Sequence, residues 1–211
     1  MTAAPSRAPR RGQHDRSLSG AERAAQQRRR LMRAGVKIFA HLGYGGATVD
    51  AIVREAGTSR RTFYEHFDDL RDLLLRLHEQ AGTRAFRAVE QHVLAQDHPS
   101  DQLRAGVEAF LGLIDQFGDE ARVLFREVSA LGPEHQVRRE ALLGRFATLM
   151  FAGVARSYAM GIAKRPPDEL RIFAFVAAIE AIGMRYVERG DEARALEAVE
   201  PLVDLIRRAF E

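Results

Sequence analysis

The sequence predicts an all-α protein, with an N-terminal three-helix helix-turn-helix unit followed by a longer C-terminal helical body. Three observations carry this. From about residue 20 onward, apolar residues recur three and four apart, the spacing of one helix face. No segment sustains a two-residue alternation, so no sheet is expected. Glycines and prolines fall between the periodic stretches, at Gly43, Gly57, Pro99, Gly132-Pro133, Pro166-Pro167 and Gly190, where they stop helices.

Each element has its own local reason. Residues 1–18 hold four arginines, with Pro, Ser and Gly and almost no bulky apolar residues. Such a segment has too little to bury and is expected to be a disordered basic arm. Ser19, with Glu22 three residues on, forms a capping box that starts the first helix. Its expected buried stripe is Leu31, Gly35, Ile38, Phe39 and Leu42, and Gly43 should stop it. Thr48 is the expected N-cap of a second helix that buries Val49, Ile52, Val53 and Ala56 and ends at Gly57. A short third helix, 59–66, buries Phe63, with Phe67 just beyond. A fourth runs from about 68 to 95. Further helices are expected over about 100–117, 119–130, 134–163 and 168–189. Pro201 interrupts the last apolar segment, so either a kink or a short helix with Pro201 in its first turn is expected.

Composition narrows the function classes. Hydrophobic residues at 46% and charged residues at 29% are the balance of a globular protein that buries a sizeable core. The absence of cysteine removes disulfides, thiolate metal sites and a cysteine nucleophile, and fits a reducing, cytoplasmic setting. No apolar leader pattern follows the first residues, and apolar stretches such as 173–179 are too short to span a bilayer, so no membrane partner is expected. The seven histidines are scattered without metal-ligand spacing, and there is no nucleophile elbow. No metal, no cofactor and no catalysis are expected. Net charge is +3, but residues 1–66 carry 13 Lys/Arg against 5 Asp/Glu, while residues 67–211 carry 19 against 24. A basic head on an acidic body points to a polyanion partner for the head.

The informative stretch runs from Thr48 to Leu74. Two short helices meet at a tight turn, Ala56-Gly57, where Gly57 can take the left-handed conformation that lets the second helix cross the first. The outward face of the second helix offers Ser59, Arg60, Arg61, Thr62, Tyr64, Glu65 and His66. Arginine pairs bidentately with guanine edges, and hydroxyl and imidazole groups donate to phosphates, which is the chemistry of a recognition helix in a major groove.

The run Gly43-Tyr44, Thr48-Val49-Asp50-Ala51-Ile52, Ala56-Gly57 and Phe63-Tyr64-Glu65-His66-Phe67 resembles the N-terminal domain of the TetR family, over about residues 25–75. The resemblance implies a transcription regulator: an all-helical homodimer whose reader binds double-stranded operator DNA and whose C-terminal body dimerises and binds a small-molecule effector. It adds Tyr44 and Thr48 to the DNA-contacting set of Ser59, Arg60, Arg61, Thr62, Tyr64 and His66. Repression relieved by a hydrophobic ligand is the expected mode of action. The domains expected are an arm over 1–18, a reader over 19–67 and a body over 68–211. Two positions depart from the family pattern. Val53 replaces an alanine, and Leu70 replaces a lysine that meets the DNA backbone, with Arg71 adjacent as a substitute.

In the body, Phe110 and Phe146 are candidate ligand contacts, with His78, Arg126 and Glu127 as polar anchors in an otherwise apolar lining. Dimerisation is expected through 168–189, with Ile172, Phe175, Val176, Ile179, Ile182, Gly183 and Tyr186, and through the last segment, with Leu196, Val199, Val203, Ile206 and Phe210.

Overall fold

A computed structural model describes residues 19–117, 123, 127 and 131–211. The expected arm, and most of the expected helix over 119–130, lie outside the described residues. The rest is helical: α1 Gly20–Gly46, α2 Val49–Ala56, α3 Arg60–Tyr64, α4 Leu70–Leu94, α5 Pro99–Gln116, α6 Pro133–Ala159 and α7 Glu169–Arg189. A 3-10 segment, Glu192–Ala198, then leads into α8, Val199–Phe210. No strand occurs among the described residues.

The caps explain where helices begin. The Ser19 hydroxyl accepts the Glu22 N–H at 3.2 Å, and the Glu22 carboxylate accepts the Ser19 N–H at 2.7 Å. Thr48 Oγ1 accepts from the Ala51 N–H at 3.1 Å, Asp69 from the Asp72 N–H at 2.7 Å, and Asp168 from the Arg171 N–H at 2.8 Å. Each satisfies one donor that a first helical turn leaves without a partner. Gly57 ends α2 in the left-handed region, at φ +64, as the turn requires.

The break at Gly43 falls where expected: the backbone there is non-helical (φ +68, ψ 169), and one further turn, to Gly46, follows it. Three local expectations are corrected. Leu42, on the turn before that bend, is 45% exposed rather than part of the buried stripe. α3 ends at Tyr64, because the His66 and Phe67 N–H groups both close onto the Phe63 carbonyl, at 3.0 and 2.9 Å. α6 ends at Ala159 rather than 163, because the chain turns through Gly161 and the Ile162 N–H bonds back to the Ser157 carbonyl at 3.0 Å. Pro201 sits in the first turn of α8, the second of the two outcomes expected.

Two apolar clusters hold the chain together. The first packs Leu31, Phe39, Ile52, Phe63, Phe67 and Leu73 of the reader region with Leu77 of α4. It also takes in Val123 and Leu131 from the connection between α5 and α6. The second joins α5, α7, the 3-10 segment and α8 around Leu111, Ile172, Val187, Leu202 and Ile206. α4 is shared, carrying the reader at one end and packing on α5 and α6 beyond it.

Candidate nucleic-acid interface and inner cavity

α3 is only five residues long, so its orientation comes from its anchors rather than from its own stability. Phe63 is fully buried, 5.6 Å from the Phe67 ring. Tyr64 meets Phe63 edge-on at 5.4 Å and stays 51% exposed. With Phe63 turned inward, Ser59, Arg60, Arg61 and Tyr64 are left on the exposed side.

The charged groups on this face are held loosely. Arg60 Nη1 lies 3.2 Å from an Asp50 carboxylate oxygen, which ties the start of α3 to the first turn of α2 and so brings Thr48 near it. The Tyr64 phenol and the Asp50 carboxylate both push the Arg60 guanidinium further above its ordinary value. Arg61 pairs with Glu65 at 3.1 Å, one helical turn apart. Exposed pairs of this kind contribute little to stability, so either arginine can exchange its carboxylate for a phosphate or a base edge at small cost.

The other expected contacts divide. Thr48 is exposed at the start of α2. Thr62 is half-buried, and its N–H and hydroxyl both face the Ser59 hydroxyl at 3.1 Å, so these two hydroxyls are engaged in the cap of α3. His66 is half-buried and its Nε2 is enclosed without a protein partner. Tyr44 is also half-buried, with its ring 6.1 Å from Phe39 against the reader core. Leu70, where the family pattern has lysine, packs partly against the same core. Arg71 does not stand free in its place: it donates to the Leu131 carbonyl at 3.3 Å.

The body contains a cavity of about 210 Å³ between α4, α5, α6, α7 and α8, with Val89, Leu103, Phe110, Phe146, Met150 and Phe210 in its wall. A second chamber of about 110 Å³ lies beside it, lined by His78, Arg84, Phe117, Arg139, Leu142 and Glu180 among others. Phe110, Leu143, Phe146 and Glu180 belong to both walls. The Phe110 and Phe146 rings stand edge-to-face at 5.9 Å, and Phe86 backs Phe146 at 5.3 Å. Of the residues expected to meet a ligand, His78, Phe110 and Phe146 come together here. Arg126 lies outside the described residues. Glu127 is elsewhere: its carboxylate accepts the Tyr44 N–H at 2.6 Å.

The second, inner chamber holds a buried ion pair and a pair of histidines. Arg139 grips the Glu180 carboxylate with two nitrogens, Nε to Oε1 at 2.9 Å and Nη2 to Oε2. Glu180 interrupts the apolar run of α7, and a lone carboxylate in such a run is the signal that sequence reading passed over. His78 meets His135 edge-on at 4.8 Å, and both are buried. Burial, followed by His135, Arg138 and Arg139, pushes His78 down to about 4, so it is neutral at pH 7. His135 is lowered by burial and by Arg139. Among the described residues no cluster of three or more metal-ligating side chains forms, and no helix is long and apolar enough to cross a membrane.

Residues 31–77 match the family described as bacterial regulatory proteins, tetR family. The chain is 28% identical over 109 residues to the HTH-type transcriptional activator FasR of Mycolicibacterium smegmatis, covering 52% of this chain and 50% of FasR. It spans about half the length of the curated relatives FasR and its like. Among solved structures, the fatty acid degradation regulator FadR of Bacillus halodurans superposes with a TM-score of 0.77 at 18% identity, over 86% of this chain and 94% of that one. FadR of Bacillus subtilis, solved in complex with stearoyl-CoA, gives 0.74 at 17% identity, over 84% and 96%. At such identities the two structures show the fold alone. The helix-turn-helix within the matched residues 31–77 is that of the TetR family, and the relatives the chain resembles are HTH-type transcriptional regulators.

Proposed function

We propose that this chain binds a two-fold operator as a homodimer, reading each half-site with α3, and that an apolar ligand in the cavity releases it. The observation that carries the reading is the division of α3. Phe63 is sunk in the core while Arg60, Arg61 and Tyr64 face outward on a rigid anchor. Thr48 and Ser59 add phosphate contacts at the starts of α2 and α3, and Tyr44, Thr62 and His66 act mainly by packing and capping. Selection of duplexes from a random pool tests this directly. The wild-type protein should enrich a palindromic sequence, and the Arg60→Ala and Arg61→Ala variants should not. Enrichment by the variants equal to wild type would end the assignment.

The dimer surface we propose differs from the residues first expected for it. Ile172, Val176, Ile179, Val203 and Ile206 fill the chain's own core, and Gly183 lets α7 approach α5, since a Cβ there would come within 2.3 Å of Ile114. What α7 leaves outside is Leu170, 78% exposed, and Phe173, 36% exposed, with Ala174 and Ala181 on the same side. α8 adds Leu205. A two-fold axis along this face would cover the stripe and set two α3 helices at half-site spacing. Sedimentation at micromolar concentration should give a dimer.

The effector reading rests on the two chambers. Their walls are mostly hydrocarbon, which suits an apolar ligand with few polar groups. The stearoyl-CoA held by the Bacillus subtilis protein, on the same fold, makes long acyl chains the first probes to try. A ligand that displaces α4 from α6 would tilt both readers, and a roughly tenfold loss of operator affinity needs about 1.4 kcal/mol of preference for the tilted state. Operator must then weaken ligand binding by the same factor. A dimer seated on a promoter most simply blocks transcription, so we read the chain as a repressor. The activator FasR keeps the opposite sign open to a reporter assay.

A further inference from the structure

A helix that restarts after a bend exposes new backbone donors, as any first turn does. That happens where Gly43 bends α1 at φ +68 and the turn Tyr44–Gly46 begins. The donor at this restart, the Tyr44 N–H, is taken by the Glu127 carboxylate at 2.6 Å, from a residue 83 positions away. The carboxylate lies so close over the bend that a Cβ at position 43 would sit 3.5 Å from Glu127 Oε2. The bond is half-buried and joins an ionised acceptor to a backbone N–H, a stronger class of hydrogen bond than a neutral pair.

The residues around Glu127 turn the same way. Val123 and Leu131, four positions before and after it, are buried in the reader core. The Glu127 N–H bonds to the Val123 carbonyl at 3.1 Å, and the Leu131 carbonyl accepts from Arg71 at 3.3 Å. Val123, Glu127 and Leu131 therefore belong to the reader by packing and bonding, while residues on either side of them belong to the cavity. Phe117, just after α5, lines the inner chamber, and His135, in the first turn of α6, packs on His78 in its wall.

We propose that Glu127 is a positioning residue for the DNA reader, a carboxylate supplied by the body that fixes the Gly43–Tyr44 corner and with it the tilt of α2 and α3. α4 carries the reader, and one helix leaves a rotation about its axis open. A second tie, at the Gly43–Tyr44 corner of α1, closes it. The Tyr44 corner lies four residues before Thr48, the cap of α2, so a shift there is passed directly to the helix pair. This role rests on the reading of α3 as the DNA-contacting helix.

The test uses the full chain with Glu127→Ala and Glu127→Gln, and a duplex that the wild type selects from a random pool. Amide exchange at Tyr44, which needs no DNA, should accelerate in Glu127→Ala. Duplex affinity should fall about tenfold, the scale of one lost hydrogen bond to a charged group. Melting temperature should fall only by the few degrees that one lost hydrogen bond costs, sedimentation should stay at its wild-type value, and Glu127→Gln, which keeps an acceptor oxygen, should recover part of the lost exchange protection and affinity. Unchanged Tyr44 exchange in Glu127→Ala overturns the tie. Accelerated exchange with duplex affinity within twofold of wild type overturns the positioning role. So does a melting temperature low enough to unfold the variant at the temperature of the binding assay, since that marks a structural residue. A wild-type protein that selects no duplex removes the reader itself, and the exchange result still reports separately on the tie.

Discussion

The two halves of this molecule bury apolar surface in different ways. The reader core is filled: Leu31, Ile52, Phe63, Leu73 and Leu74 are fully buried, and no buried member of that cluster lines either chamber. The body core is hollow at its centre, with the Phe110–Phe146 pair between two chambers and the Arg139–Glu180 and His78–His135 pairs in the inner wall. A filled core resists displacement, because protein interiors are packed like organic crystals. A hollow one has room for a second arrangement. The contrast supports the proposed division of labour, a reader of fixed shape and a body with room for a ligand.

Truncating one large ring in each half should give unequal costs. Phe63→Ala opens a void in a closed core and should cost about 3–5 kcal/mol, with loss of duplex binding. Phe146→Ala merges space that already exists, so the residual void costs less, about half as much or below. Thermal unfolding of the two variants checks this, and equal losses would mean that the body is as tightly filled as the reader.

The body also carries a buried histidine whose titration bears on stability. His78 is held at about 4 against an ordinary 6.5, so between these values the unfolded chain binds a proton that the folded chain refuses. Stability contributed by the neutral histidine is therefore complete above about pH 6.5 and falls as pH drops toward 4, by about 3 kcal/mol at most. Urea unfolding at pH 7.5 and pH 5 should show this fall in the wild type, and a smaller one in His78→Leu. A His78→Leu variant with the full wild-type slope would place the titration elsewhere.

Function on the reader should separate from stability. Arg60→Ala and Arg61→Ala remove exposed side chains whose carboxylate partners are also exposed, so melting should hold within the few tenths of a kcal/mol that surface changes cost. Duplex affinity should fall by about 1–3 kcal/mol for an arginine that pairs with a base edge. A salt titration refines this, since an arginine that meets only a phosphate lowers the salt slope without relaxing sequence preference.

Much of the reader was legible because its signals are local. Ser19, Thr48 and Gly57 each act on residues a few positions away, and all three stand at the ends of helices as the sequence implied. Phe63 and Ile52 were legible from helical spacing. The body was legible as helices but not as a site. Arg139 and Glu180 are 41 residues apart, and nothing in either neighbourhood names the other. Val123, Glu127 and Leu131 follow helical spacing, but the partner of their face, the reader core, is set by tertiary packing. The wide stripe on α7 and α8 was ambiguous for the same reason: spacing says that a face is buried, and cannot say whether its partner is the same chain or a second copy.

The smallest expected effect separates a cap that only starts a helix from one that also faces DNA. Ser19 and Thr48 both accept an N–H three residues on, at 3.2 and 3.1 Å, and both are exposed. Replacing either with alanine removes one acceptor from a first turn and should cost about 1 kcal/mol or less. The stability losses should differ in one respect. Ser19 starts a helix whose first turns pack on little, so its loss lets a few residues fray. Thr48 starts an eight-residue helix whose own Ile52 and Val53 are buried in the core, so its loss is felt by the whole unit. Duplex binding should divide them more sharply. Ser19→Ala should bind as wild type, because α1 begins far along the chain from α3 and Glu22 is its only capping partner in the box. Thr48→Ala should weaken binding, because Asp50, two residues on, pairs with Arg60 and places the start of α2 beside the start of α3. Thr48→Ser keeps the hydroxyl and should retain both properties. Equal duplex affinity for Ser19→Ala and Thr48→Ala would confine Thr48 to capping and leave phosphate contact on this side to Ser59, Arg60 and Tyr64.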